Sequence, residues 1–267
     1  MESFSFGSYA PGTSVVHRMD PRTKLLGGLV FLLASLASST FCGLAPIAVF
    51  VLATFVAAHI SAGRALRSLA PLLAIVVVVG ALSLFANHSG RILWQLGTLQ
   101  ISEGSLSSSA FRVCRLTLIM CGMNLITLTT TTLDLTAGFE RLLAPLARIG
   151  VPAHELGMMM GIALRFMPQF ATEFRATRDA QVSRGARVAG GPLGSVRYLL
   201  SVIVPLFASV FRHAETLANA MDARCYHGEQ GRTRLHPLAY GAPEAMAAAA
   251  LAVLVVAVVA LRVFGIG

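Results

Sequence analysis

The sequence predicts an all-α integral membrane protein: a helical bundle of about five spans, joined to a cytoplasmic domain of two long kinked helices and one short helix. Three observations predict it. Hydrophobic residues make up 55% of the chain and charged residues only 12%, with a mean hydropathy of +0.73, whereas a soluble domain carries about a quarter charged residues. Five stretches reach the apolar length of a membrane span. The second half of the chain holds two near copies of one helical pattern.

The five apolar stretches are Leu25–Phe41, Gly43–Ile60, Leu69–Ala86, Val113–Thr130 and Met246–Val263. Almost nothing separates the first two, which predicts a tight helical hairpin at Cys42-Gly43. The fourth is the most polar, with Asn124 inside it and a threonine-rich end. Between the third and fourth, the residues from Ile92 to Ile101 read as a short hairpin. Ser102 then reads as the N-cap of a helix beginning at Glu103. Asp134 reads as a helix cap at the membrane boundary rather than as a catalytic acid.

Charge gives the orientation. Arg18, Arg22 and Lys24 precede the first span, Arg64 and Arg67 lie between the second and third, and twelve of the 21 Lys and Arg fall between Arg141 and Arg234. The positive-inside rule then predicts a multi-pass protein of the cell membrane with a cytoplasmic N-terminus. The predicted division is a cytoplasmic segment at 1–24, spans at 25–132, a cytoplasmic domain at 133–240 and a last span at 241–267. Arg91, Arg112 and Arg115 oppose the rule as a minority. The net charge of +9 is thereby explained by topology, and no nucleic-acid partner is expected. The N-terminus lacks the basic and apolar regions of a signal peptide.

In the cytoplasmic domain, Leu135–Ile149 reads as a short amphipathic helix stopped by Gly150-Val-Pro152. A long helix is expected from Ala153 to Ala186, interrupted at Pro168. After the breaker Gly190-Gly191-Pro192, a second is expected from Leu193 to Tyr226, interrupted at Pro205. Proline removes one helical hydrogen bond and kinks the helix, so both are expected to bend at equivalent points. The copies are Pro168-Gln-Phe170-Ala171-Thr172-Glu173-Phe174-Arg175 and Pro205-Leu-Phe207-Ala208-Ser209-Val210-Phe211-Arg212. Each runs on to a second arginine among small residues, Ser183-Arg184-Gly185 and Ala223-Arg224-Cys225. A cation near a helix C-terminus can simply favour the dipole. Two of them, ending duplicated helices, favour docking to two similar partner surfaces through the planar guanidinium fork. Met158, Met159 and Met160, framed by Gly157 and Gly161, read either as a core stripe or as an adaptable apolar contact surface.

Other chemistry has little support. The four cysteines form no CxxC pair and read as free thiols, and the seven histidines show no metal-ligand spacing. His154-Glu155 lacks the second histidine of HExxH, so no metal site is expected. No phosphate-binding GxxxxGK[ST] occurs, so this chain is not expected to bind ATP in that manner. No acidic residue lies in the middle of a span, which counts against a proton-coupled carrier and a membrane prenyl transferase. An autonomous secondary transporter or channel is the alternative, and a membrane-embedded enzyme a third reading. Uptake by the chain alone in vesicles would favour the former, and turnover of a lipid the latter.

The segment Tyr9-Ala-Pro11-Gly12-Thr-Ser14-Val-Val-His17-Arg18-Met-Asp20-Pro21-Arg22-Thr23-Lys24-Leu25 resembles the opening of the transmembrane T component of energy-coupling factor transporters. Leu133-Asp134-Leu135-Thr136, Ala163-Leu-Arg165-Phe166-Met-Pro168 and Ala220-Met-Asp-Ala223-Arg224-Cys225-Tyr226 extend the resemblance nearly end to end. The opening segment looks more like the shared-module form than the cobalt- or biotin-dedicated ones. The resemblance implies a non-catalytic scaffold in an importer of vitamins or transition metals. It implies two ABC ATPase subunits, which bind the ATP, and one or more substrate-binding S components in the membrane lipid. The family's Ala-Arg-Gly signatures then fall on Ser183-Arg184-Gly185 and Ala223-Arg224-Cys225, departing at Ser183 and Cys225. The predicted cytoplasmic domain becomes a coupling domain, with the methionines facing an S component.

Overall fold

A computed structural model describes residues 9–85, 92–96, 99–150, 152–186, 192–228 and 241–264. The described chain is helical apart from one short hairpin. It divides into two units, which are taken separately: residues 9–142 with 241–264, and residues 143–228.

The first unit is the membrane bundle. Its helices are α1 (Val15–Arg18), α2 (Pro21–Ala37), α3 (Phe41–Ala58), α4 (Ala62–Leu84), α5 (Glu103–Thr129), α6 (Thr132–Leu143, whose last residue falls in the second unit) and α9 (Ala242–Val263). Strands β1 (Ile92–Leu96) and β2 (Leu99–Ser102) pair antiparallel between α4 and α5. Helix α5 packs on α2, α3 and α4, and α9 packs on α2 and α3. Phe31, Leu44, Ile47, Val51, Leu254 and Val258 form the buried core where α2, α3 and α9 meet. The outward faces remain apolar: Leu33, Val49, Leu52 and Val253 are all exposed, as lipid-facing helices require. Among the described residues, four helices are long and apolar enough to cross a membrane, α3, α5 and α9 in this unit and Gly194–Asp222 in the other, or five if the two parts of α4 count as one span.

Several elements match their local signals. The hairpin lies where it was expected. Ser102 N-caps α5 by accepting from the Ser105 N–H, and the Ser105 hydroxyl accepts from the Ser102 N–H in return. Helix α5 is continuous for 27 residues, the helix expected from Glu103 running straight into the apolar run expected from Val113. Other elements differ. Helix α4 begins at Ala62 rather than Leu69 and bends by 61° between Gly63–Ala70 and Leu72–Leu84. Asp134 is the third residue of α6 rather than its cap. Thr131 is the cap: its Oγ1 accepts from the Asp134 N–H at 3.1 Å and donates to Asp134 Oδ2 at 2.6 Å. The helix expected over Leu135–Ile149 is α6 followed by a 3-10 helix from Ala144 to Ile149, the change falling where Pro145 withdraws an N–H. Arg91 lies outside the described residues.

One arginine, one lysine and two carboxylates find specific work. Arg115, one of the exceptions to the charge rule, points its guanidinium over the Phe111 ring at 5.4 Å. Its Nη1 donates to the Ser38 carbonyl at 3.4 Å, satisfying the end of α2. Asp20 caps α2 by accepting from the Arg22 N–H, and the Asp20 N–H itself donates to Glu244 Oε1 at 2.9 Å. Glu244 Oε2 accepts from the Gly241 N–H at 2.7 Å. One buried carboxylate thus serves the N-terminal ends of both α2 and α9. Lys24 Nζ donates to the carbonyls of Thr129 and His17 at 3.0 and 3.3 Å, and the Ala10 N–H donates to Leu128. The opening segment is therefore a knot that ties the start of α2 to the ends of α5 and α9.

The second unit holds the 3-10 helix and two long helices, α7 (Ala153–Ser183) and α8 (Pro192–Asp222), each 31 residues. Pro168 and Pro205, where the bends are expected, both lie inside continuous helix. A proline deletes one bond of the ladder, and the long flanking turns hold the rest. Gly190 and Gly191 of the expected breaker lie outside the described residues, and α8 starts at Pro192.

Candidate functional site

The two arginine motifs share one backbone device. At the end of α7 the Gly185 N–H donates to Val182 and the Ala186 N–H to Gln181. At the end of α8 the Cys225 N–H donates to Asp222 and the Tyr226 N–H to Met221. Both pairs are the crossed bonds of a Schellman cap, which needs its central residue in the left-handed region. Gly185 has φ +89° and Cys225 has φ +57°. The three motif positions are thus the last helical residue, the half-in arginine and the left-handed turn residue. This explains why glycine suits the third position: a Cβ there meets the carbonyl in left-handed backbone.

All six motif residues, Ser183, Arg184, Gly185, Ala223, Arg224 and Cys225, are exposed. Among the described residues no hydrogen bond or ion pair engages either arginine side chain. Cys225→Gly is expected to stabilise the end of α8 by up to about 1 kcal/mol, while Gly185→Val costs the end of α7 about 1–2 kcal/mol. Thermal unfolding of the detergent-solubilised chain reads both, as a small rise and a clear fall in Tm.

Helices α7 and α8 run antiparallel. Met158 meets Tyr226, Gln169 meets His213 and Glu173 meets Ser209, so positions rise along one helix as they fall along the other. Arg184 and Arg224 consequently sit at opposite ends of the pair. The methionines divide. Met158 is half-buried, with its Sδ accepting from the Tyr226 hydroxyl at 2.9 Å, while Met159 and Met160 are exposed. A Cβ built on Gly161 would meet nothing within 4 Å, so that glycine leaves an open seat for another surface. On α8, Val196, Leu200, Val204, Phe207 and Phe211 form an exposed apolar stripe at helical spacing. The stretch Gly194–Asp222 is long and apolar enough to cross a membrane.

The sequence reading passed over the polar group where the helices touch. Glu173 Oε1 lies 2.6 Å from His213 Nε2, and Glu173 Oε2 accepts from the Ser209 hydroxyl at 3.1 Å. Gln169 Nε2 lies 3.3 Å from His213 Nε2. A signal was available: the two copies differ here, with Glu173 in the first against Val210 in the second. The hydrogen bond from His213, assisted by Ser209 and Gln169, holds the Glu173 carboxyl below its ordinary pKa of 4.5. A lowered carboxylate pKa contributes stability that is complete above the ordinary value and fades as pH falls through the lowered one. Wild type is therefore expected to lose its margin in Tm over Glu173→Gln as the pH is taken from 7 to below 4.5.

A protein-family model described as "Cobalt transport protein" matches residues 12–235, which takes in the helices from α1 to α8 and both arginine motifs. The chain belongs to this cobalt transport protein family. It is 43% identical over 239 residues to the energy-coupling factor transporter transmembrane protein EcfT of Thermosediminibacter oceani, covering 89% of this chain and 90% of the relative. It is 37% identical over 263 residues to the EcfT of Acidaminococcus fermentans, covering 98% of both. It is also 35% identical over 255 residues to a putative ABC transporter ATP-binding protein of Bifidobacterium longum, where 95% of this chain covers 33% of the longer protein. The family and the apolar helices together make this a multi-pass membrane protein, homologous to the T components of energy-coupling factor transporters.

Proposed function

We propose that the chain is the energy-transducing scaffold of an energy-coupling factor importer and performs no catalysis itself. Two ABC ATPase subunits, which bind the ATP, dock at Ser183-Arg184-Gly185 and Ala223-Arg224-Cys225. One or more S components seat against the exposed apolar side of α7 and α8, with Met159, Met160 and the stripe from Val196 to Phe211 among the contacts. The N-terminus and segment 133–240 are cytoplasmic, which makes α8 an amphipathic coupling helix rather than a span. Membrane lipid surrounds the bundle, and the S component selects the vitamin or transition metal. Hydrolysis at the ATPases moves α7 and α8 relative to one another, and that motion reorients the S component.

The observation that carries this reading is the pair of equivalent Schellman-capped ends, each presenting an exposed arginine, at opposite ends of one antiparallel pair. The Bifidobacterium longum relative supports it, since there a stretch like this chain is part of a protein named for ATP binding. A mild-detergent pull-down of the tagged chain from its native membrane tests it. Two P-loop ATPases with one or more small hydrophobic proteins are expected. A chain recovered alone, under conditions that preserve known membrane complexes, refutes the scaffold role.

A further inference from the structure

The contact between α7 and α8 is unlike the core of the membrane bundle. Among the described residues, only Ala153 on α7 and Val202 on α8 are buried apolar side chains in the pair. Besides the contact of Tyr226 with Met158, the polar contacts gather on one turn of each helix. Gln169 and Glu173 face Ser209 and His213, two i,i+4 pairs set against each other. The rings of Phe166 and Phe170 stand 6.4 and 6.3 Å from that of His213 and shield one side of the group.

The place of this group in the repeat is informative. In an antiparallel pair of equivalent helices, the crossing falls where a residue meets its own counterpart. Glu173 touches Ser209, and Val210 is its counterpart in the second copy. The crossing therefore lies at the middle of the duplicated motif, on its pseudo-twofold axis. At this point the copies have diverged in chemistry. Glu173 opposes Val210 in the alignment, His213 opposes Ala176, and Gln169 opposes Leu206. A symmetric apolar crossing would let the helices slip along each other by a turn with little loss. Directional hydrogen bonds to a carboxylate resist such slippage, because they fail beyond about 3.5 Å. Because the bonds converge on Glu173 and His213, a change of crossing angle about this point preserves them.

We propose that Glu173, His213, Ser209 and Gln169 are positioning residues that pin the crossing of α7 and α8, so that force applied at the arginine ends becomes rotation about that point rather than sliding. This rests on the scaffold reading above. The pin locates the motion at Glu173 and His213, one turn or more beyond Pro168 and Pro205, and makes the side-chain contact the energetic determinant of coupling.

The test uses the chain with its co-purified ATPases, Cys42, Cys114 and Cys121 replaced by serine and Cys225 by glycine, which its left-handed turn favours, and spin labels at Ala180→Cys and Ala218→Cys, both exposed positions; this labelled background is first checked for unchanged ATPase retention. Label separation is measured with and without Mg-ATP, beside the rate of ATP hydrolysis. Glu173→Val and His213→Ala give each position its counterpart's side chain. Both are expected to keep ATPases and hydrolysis within about twofold, while the ATP-driven change in separation falls about threefold or more. The exchanged pair, Glu173→His with His213→Glu, is expected to restore the change, which a merely structural role for either residue would not produce. The pin is overturned if both single variants respond to ATP as wild type does, or if the exchanged pair assembles and stays unresponsive. Should a single variant lose its ATPases, His213→Gln keeps an N–H donor for Glu173: a retained response supports the pin and a lost one overturns it. A wild-type chain that brings down no ATPases is a distinct outcome, which refutes the scaffold reading itself.

Discussion

Arg184→Glu combined with Arg224→Glu is expected to strip the chain of its ATPases while leaving it folded in the membrane. Both side chains are exposed, and their backbone caps use only main-chain atoms, so neither substitution disturbs α7 or α8. A guanidinium docked on a carboxylate or on carbonyls contributes through charge-assisted bonds, and truncating one partner of such a pair costs about 2–5 kcal/mol. Reversing the charge adds repulsion to that loss. Each single reversal is expected to lower ATPase retention by about tenfold or more, and the double to abolish it. Co-purification at matched expression measures this, with thermal unfolding as the control. Unchanged retention in the double variant would refute docking through these arginines.

Glu244→Ala is expected to destabilise the bundle more than any other single truncation at the membrane boundary. Its two carboxylate oxygens accept the Asp20 and Gly241 N–H groups at 2.9 and 2.7 Å, and the residue is 7% exposed. Both donors lie at helix starts, where no intrahelical acceptor is available. Leaving a buried donor unsatisfied costs about 1–3 kcal/mol, so two of them approach the whole margin of a marginally stable domain. Glu244→Gln keeps one acceptor oxygen and should fall between the two. The expected readout is a ranked loss of Tm in detergent, wild type above Gln above Ala. An Ala variant as stable as wild type would show that water serves these donors instead.

What the sequence made legible was local or periodic. Apolar runs located the long helices of the bundle, Ser102 marked the start of α5, and a helix end was expected at Ala186, close to Ser183 where α7 stops. The family resemblance reached further than any physical signal. The duplicated pattern by itself leads to Arg224, whose following residue, Cys225, gives no helix-stop signal and adopts φ +57° all the same. Pro168 and Pro205 were legible as single residues, and each stands inside a continuous 31-residue helix. What stayed illegible was tertiary. Asp20 and Glu244 are 224 residues apart in sequence, and nothing near either announces the other. The Glu173–His213 contact depends on the antiparallel register of α7 and α8, which neither helix specifies alone.

The duplicated helices are not equal beyond their crossing. Eleven residues separate Glu173 from Arg184, and fourteen separate its counterpart Val210 from Arg224. At 1.5 Å of rise per residue these are lever arms of about 16 and 21 Å. The same angular swing then carries the Arg224 tip about a third farther than the Arg184 tip, and delivers correspondingly less force there. Two ATPases closing symmetrically would therefore work against unequal mechanical loads, one driving a long soft stroke and the other a short stiff one.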